Sequence, residues 1–114
     1  MRILILEDDG HRVNNFIELL HKHTLDITEN AYDAIDLLEE KEYDLIFLDH
    51  DLGEGNGSGS LVAAFLSRME DNKAVIVIHS WNVPASNAMV GYLPNASQAP
   101  YNTEAFYDFM INVP

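Results

Sequence analysis

Three short runs carry the side chains able to do chemistry: Glu7-Asp8-Asp9, Asp49-His50-Asp51 and His79-Ser80-Trp81-Asn82. Each follows directly on an apolar segment, at residues 2–6, 45–48 and 74–78. Carboxylates crowded together raise one another's pKa unless a cation is present, so convergence of these runs implies bound Mg²⁺ or a similar hard ion such as Mn²⁺. The chain has no cysteine, which excludes thiolate nucleophiles, disulfides and zinc-thiolate sites and leaves oxygen or imidazole to hold any metal. His50 and His79 could exchange protons near neutral pH, although a histidine at a strand end is often a structural group bonded to backbone. Ser80 and Asn82 could donate hydrogen bonds to phosphate oxygens, or equally close a turn before Pro84. Trp81 reads as a packing residue, or, if exposed, as a platform for a base. His11, His21 and His23 read as solvated groups on or beside a helix.

Alternating elements must position these runs. Strands are predicted at 2–6, 25–28, 45–48 and 74–78, the first, third and fourth apolar enough to be buried on both faces. A polar fifth strand at 95–99 follows from the alternation rather than from its own residues. Between them, Val13, Phe16, Ile17, Leu19 and Leu20 recur at helical spacing, with His21, Lys22 and His23 placed near the negative end of that helix dipole. Ala31, Ala34, Ile35, Leu37 and Leu38 line a second helix, and Leu61, Val62, Phe65, Leu66 and Met69 a third, capped by Ser58 or Ser60. Pro84 suits the first turn of a short helix reaching about Met89, and Thr103 and Glu104 open a terminal helix carrying Phe106, Phe109 and Met110. Tyr107 belongs to the same aromatic face, read as core. Four glycines between Gly53 and Ser60 mark a flexible loop. This order implies an α/β fold, a three-layer doubly wound five-stranded parallel sheet with ligands at the carboxyl ends of its strands.

A length of 114 residues fits one domain with one core, and 47% apolar against 22% charged residues argues against disorder. The longest apolar runs fall far short of the roughly 20 residues of a membrane helix. Met1 leads directly into a strand, with no secretory leader to read, so a cytoplasmic location is expected. Nineteen acids against six bases leave a net charge of −13, which repels a nucleic-acid backbone and makes long polyanions unsuitable partners.

The run Ile3-Leu4-Ile5-Leu6-Glu7-Asp8-Asp9 with Arg12 downstream, and Asp44-Leu45-Ile46-Phe47-Leu48-Asp49 before a glycine-rich loop, resemble receiver domains of response regulators. The resemblance covers essentially the whole chain and implies the flavodoxin-like sheet of that family. It implies that Glu7 and Asp8 hold Mg²⁺, that Asp49 takes a phosphoryl group, and that Asp51 supplies a metal contact through its backbone carbonyl. Asp9 falls where the family is often acidic without a ligand role. Receivers carry Ser or Thr after the fourth strand and Lys before Pro after the fifth, where this chain has His79 and Ala99. Without that lysine, ordinary phosphorelay switching loses the partner of the phospho-aspartate.

Leu48-Asp49-His50-Asp51-Leu52-Gly53 and His79-Ser80-Trp81-Asn82 before Pro84, with Ala85, Asn87 and Met89, resemble a divergent branch of cyclic-phosphate-processing receiver domains. That likeness implies hydrolysis of cyclic phosphate ends or cyclic nucleotides. The expected site has Glu7, Asp8, Asp49 and Asp51 on Mg²⁺ or Mn²⁺, with His79 and His50 as acid and base. Ser80 and Asn82 would hold the phosphate, and Asp49 would act as ligand or as nucleophile. The expected partner is a small phosphorylated molecule, and receivers often dimerise through their fourth and fifth units, so a homodimer is a further expectation. The alternative is a stand-alone receiver-type module whose signal passes to a partner protein.

Overall fold

A computed structural model describes all 114 residues. β1 (Arg2–Leu6), β3 (Leu45–Leu48) and β4 (Val75–Ile78) form the centre of a five-stranded sheet flanked by β2 (Thr24–Thr28) and β5 (Ser97–Gln98). The order is β2-β1-β3-β4-β5, and every neighbouring pair is parallel. Parallel strands need crossover connections, which are α1 (Gly10–Leu19), α2 (Ala31–Glu40), α3 (Gly59–Ser67) and α4 (Val83–Tyr92), with α5 (Glu104–Ile111) closing the chain. No helix is long and apolar enough to cross a membrane.

Side chains alternate between the faces of a strand, and this alternation divides the core in two. Ile3, Ile5, Leu45, Phe47 and Val77 pack with Phe16 of α1 and with Phe106 and Met110 of α5. Leu4, Leu6, Ile46, Leu48, Ile76 and Ile78 pack on the other face with Ala31, Ala34, Leu38, Val62, Leu66 and Met89 of α2, α3 and α4. Both faces of the central strands are therefore covered. Phe16 is fully buried against Phe47 and Phe106, with ring centroids 5.0 and 5.5 Å away, so truncating it would remove about 3–5 kcal/mol.

Several boundaries differ from expectation for local reasons. β5 has two exposed residues rather than five, because the chain still turns at Ala96, whose N–H bonds to the Leu93 carbonyl, and Pro100 follows soon after with no N–H to offer. α4 continues to Tyr92, started by Pro84 in its first turn and by the Asn82 side chain accepting from Ala85 N at 3.2 Å. α1 stops at Leu19, which leaves His21, Lys22 and His23 in the turn beyond it, and Ile17 and Leu19 are largely exposed. Ser58 occupies the α3 cap position without a side-chain hydrogen bond, and Met69 lies past the helix yet still packs on the core. Tyr107 is more exposed than its aromatic neighbour Phe106.

The glycine-rich segment is tied down rather than free. Asp51 and Ser58 form an isolated bridge, Asn56 Nδ2 donates to the Leu52 carbonyl at 2.8 Å, and Gly59 N donates to the His50 carbonyl at 3.1 Å. Gly59 has to be glycine because a Cβ there would overlap the Asp49 carbonyl oxygen. Gly57 combines a φ of 71° with close approach to Leu61 and Ala31. α3 is thereby held hard against the end of β3, and Asp49 is fixed by backbone.

Candidate functional site

Leu6, Leu48 and Ile78 lie in one register row across β1, β3 and β4. The ladder continues one step further, with Asp49 N donating to the Leu6 carbonyl at 3.2 Å and His79 N to the Leu48 carbonyl at 3.0 Å. Glu7, Asp49 and His79 therefore form the next row, and alternation turns them to the α1 and α5 face. Each has a ligating atom within 4.8 Å of the others, and all three residues are buried.

His79 lies beneath the cleft rather than in it. It is 0% exposed, with its Nε2 3.0 Å from Glu7 Oε1 and its ring 5.2 Å from that of Phe16. Nε2 can donate to this carboxylate, while the other ring nitrogen, Nδ1, is buried without a partner. Glu7 Oε2 accepts from the backbone N–H groups of Asp8 and Asp9, both at 3.1 Å, and Arg12 Nη1 stands 3.8 Å from Oε1. Burial alone would raise the Glu7 carboxyl, but the hydrogen bond and charge of His79, the Asp9 N–H and Arg12 outweigh it and hold the pKa below its ordinary value. The acid–base role expected of His79 would need its ring at the cleft surface, whereas here it is a buried partner of Glu7 and does not line the cleft.

Above His79 opens a cleft of about 480 Å³, lined by Glu7, Asp8, Asp9, Asp49 and Asp51 from the first two loops and by Ser80, Trp81 and Asn82 from the third. Burial, with the nearby Glu7 charge, pushes the Asp49 carboxyl up to about 6 against the opposing pull of His79, the His50 N–H and Arg12. The Asp8 carboxyl is also raised, by burial first and then by Glu7 and Asp9. Asp51 goes the other way. It is lowered chiefly by its contact with His50, Nδ1 to Oδ1 at 2.9 Å, and Asn82 Nδ2 lies 3.4 Å from each of its carboxylate oxygens.

These shifts test the fit of a cation. The Asp8 and Asp49 carboxyls are raised first by burial and then by nearby acids, and such hard oxygen donors in an open cleft suit Mg²⁺ or Mn²⁺. The tight Glu7–Asp49–His79 grouping suits an ion less well as it stands, because His79 Nε2 and Glu7 Oε1 already satisfy each other. Asp8 and Asp49 are the better donors, since Glu7, which lines the cleft beside them, already has both oxygens engaged.

His50 does not line the cleft and meets it through its ring on Asp51 and its backbone N–H on Asp49. Ser80 and Asn82 do line it while also closing the turn, since Asn82 N donates to Ser80 Oγ at 3.1 Å. Ala99, at the place of the receiver lysine, is 4% exposed within the apolar cluster under α1 and α5. No lysine lines the cleft.

Two contributors went unread as site residues. Arg12 is the cleft's one basic lining residue, placed there because its N–H caps on Asp9 Oδ1 at 3.0 Å in the first turn of α1. Tyr101 braces it, with the guanidinium 4.8 Å from the ring centroid. Tyr101 also accepts the Trp81 indole N–H on its carbonyl at 2.8 Å and the Asn15 amide on its hydroxyl at 2.8 Å. The acid-then-Arg12 spacing was a signal for the first; nothing near Tyr101 in the chain announced the second.

A family model described as the cyclic-phosphate processing Receiver domain matches residues 2–95. The chain belongs to this family. No curated protein matches it. Among solved structures, the receiver domain from Methylobacillus flagellatus is 18% identical, with a TM-score of 0.72, covering 96% of this chain and 98% of its own. The receiver domain of a Luxo repressor protein from Vibrio parahaemolyticus is 19% identical with a TM-score of 0.76, over 96% of this chain and 85% of its own. The response regulator TrrA from Thermotoga maritima, solved with Mg²⁺-BeF, is 21% identical with a TM-score of 0.74, over 96% of both chains. At these identities the likenesses establish the fold, CheY-like and flavodoxin-like. A second, larger cleft of about 810 Å³ lies around Tyr43, Asp44 and Lys73, near the amino ends of β3 and β4. It contains none of the converging loops, and the smaller cleft is the functional candidate of this receiver.

Proposed function

We propose that this receiver-family protein is a metal-dependent phosphoesterase that opens small cyclic phosphates by hydrolysis. The observation that carries the reading is the joining, in one cleft, of cation-seeking carboxylates (Asp8, Asp49) with a phosphate-seeking guanidinium (Arg12) and polar donors (Ser80, Asn82). The receiver lysine is missing at the same time, its place taken by buried Ala99. A site that binds phosphate and cation without the coupling lysine is equipped for turnover rather than for holding a phosphoryl group as a signal.

Asp8 and Asp49, with the Asp51 carbonyl that the family resemblance implies, would hold Mg²⁺ or Mn²⁺. The bound cation supplies polarisation of a phosphoryl oxygen and neutralisation of its developing charge. Arg12, fixed on Tyr101 and near Glu7, grips another phosphoryl oxygen. The Ser80 hydroxyl and Asn82 amide orient the remaining oxygens. Hydrolysis breaks one ring P–O bond and forms one to the oxygen of water, with one proton leaving the water and one reaching the departing alkoxide. His50 has its Nδ1 tied to Asp51, which leaves Nε2 to exchange those protons through an intervening water. His79 keeps Glu7 in place beneath.

The test is hydrolysis of 2′,3′-cyclic nucleotides, 3′,5′-cyclic nucleotides and a linear ester, with Mg²⁺ or Mn²⁺ and with chelator. Cleavage that needs metal and is lost in Arg12→Ala and Asp49→Asn supports the proposal. Silence across the panel in protein shown to bind Mg²⁺ overturns it. The second reading, a receiver-type signalling module, is favoured by Asp49 standing one step past β3, where receivers take a phosphoryl group. It predicts a stable phosphorylated species by intact mass after acetyl phosphate and Mg²⁺.

A further inference from the structure

Trp81 is 58% exposed, so a large flat ring with an apolar body is available to solvent. It lines the same cleft as Asp49 and Arg12. Its one polar atom is already satisfied, because the indole N–H donates to the Tyr101 carbonyl at 2.8 Å. The ring is thus anchored by its edge and leaves its surface open to solvent, so little conformational freedom remains to be lost when something flat lies on it. Tyr101 holds Arg12 as well, under its guanidinium at 4.8 Å. One residue therefore sets both the platform and the phosphate-binding cation, and the two flank a single opening.

We propose that Trp81 forms a nucleobase subsite, so that the molecule taken by this cleft is a nucleoside carrying a phosphate, with its base stacked on the indole and its phosphate at Arg12 and Asp49. Every base offers a π face, and an aromatic platform accepts bases with little dependence on sequence. A cleft of about 480 Å³ lies within the range that encloses small ligands. The net charge of −13 repels the many phosphates of a long strand, while a single phosphate can be met by Arg12 and a cation. The substrate class is accordingly the mononucleoside cyclic phosphate rather than the cyclic end of a long RNA.

This inference rests on the phosphoesterase reading for its substrate, but its central test does not need turnover. Trp81 is the chain's one tryptophan, so fluorescence excited selectively in the indole band, beyond tyrosine absorption, reports on that ring alone. The protein with Mg²⁺ is titrated with a nucleoside 3′-monophosphate and, separately, with ribose 5-phosphate and inorganic phosphate. Saturable quenching by the nucleotide at concentrations roughly 5- to 150-fold below those at which ribose 5-phosphate competes is expected, the range that base–aromatic stacking supports. In turnover, Trp81→Ala should lower kcat/KM for a nucleoside cyclic phosphate more than for base-free glycerol 1,2-cyclic phosphate, chiefly through KM, and Trp81→Phe should restore most of the difference. Quenching without turnover of any ester keeps the base subsite and removes the phosphoesterase. Turnover with no preference for base-bearing ligands overturns the base subsite and leaves the phosphoesterase standing. No binding and no turnover overturns both.

Discussion

Asp49→Asn is expected to make the metal-free protein more stable at pH 7, although it disables the proposed site. The Asp49 side chain is buried beside Glu7 and bonds only to the His50 N–H, at 2.9 Å, so its charge is poorly compensated. The carboxyl rises from an ordinary 3.8 to about 6, and at ~1.4 kcal/mol per pKa unit this sets a ceiling of ~3 kcal/mol on the cost of ionising it in the fold. Relaxation and water entry reduce that, so a gain of about 1–3 kcal/mol is expected for the neutral amide. Between pH 3.8 and about 6 the folded state keeps a proton that the unfolded chain has released. Wild-type stability contributed by this group therefore falls as pH rises through that window, and the advantage of the variant grows across it. Thermal unfolding followed by far-ultraviolet circular dichroism, in chelator at several pH values from 4 to 8, measures both effects. At about 4 °C per kcal/mol for a chain of this size, the melting temperature of the variant should exceed wild type by about 4–12 °C at pH 7 and by much less near pH 4. Saturating Mg²⁺ should then raise the wild type and leave the variant nearly unmoved. A variant no more stable than wild type at pH 7, or an advantage that does not change with pH, would refute the argument that crowded carboxylates make this pocket a cation site.

Two further substitutions test how the site is held. Gly59→Ala places a methyl group against the Asp49 carbonyl oxygen, and should cost about 3 kcal/mol in urea unfolding and weaken Mg²⁺ binding in calorimetry; an unaltered midpoint would show that α3 can move away freely. His79→Leu leaves the Glu7 carboxylate buried with only its backbone donors and Arg12 at 3.8 Å, and should cost about 3–5 kcal/mol at pH 7. In a cycle with Glu7→Gln the two costs should be strongly non-additive, and the contribution of the pair should disappear as pH falls below 4.5, where the depressed Glu7 carboxyl finally gains its proton; simple additivity would sink the pairing.

The sequence alone carried the architecture because its strand signals are local. The runs 2–6, 45–48 and 74–78 are short, apolar and closed by acids or histidine, and each became a central strand, the last starting one residue later at Val75. The order of elements implied a doubly wound parallel sheet, and the sheet brought all three reactive loops to one edge. β5 was hardly legible, since two exposed polar residues become a strand only by pairing with Val77 and Ile78.

Side-chain direction was decided by tertiary structure. His79 follows a strand in sequence just as Asp49 does, and both read as groups at the edge of a pocket. Only the register between strands, and the choice of which face α1 covers, put His79 under Phe16 and against Glu7 while Asp49 reached the cleft. Likewise, Arg12, Trp81 and Tyr101 lie far apart in the chain, and no periodicity links them. Their meeting depends on α1, the β4–α4 turn and the segment after β5 packing side by side, because hydrogen bonds and cation–π contacts form between groups that the fold has already brought together.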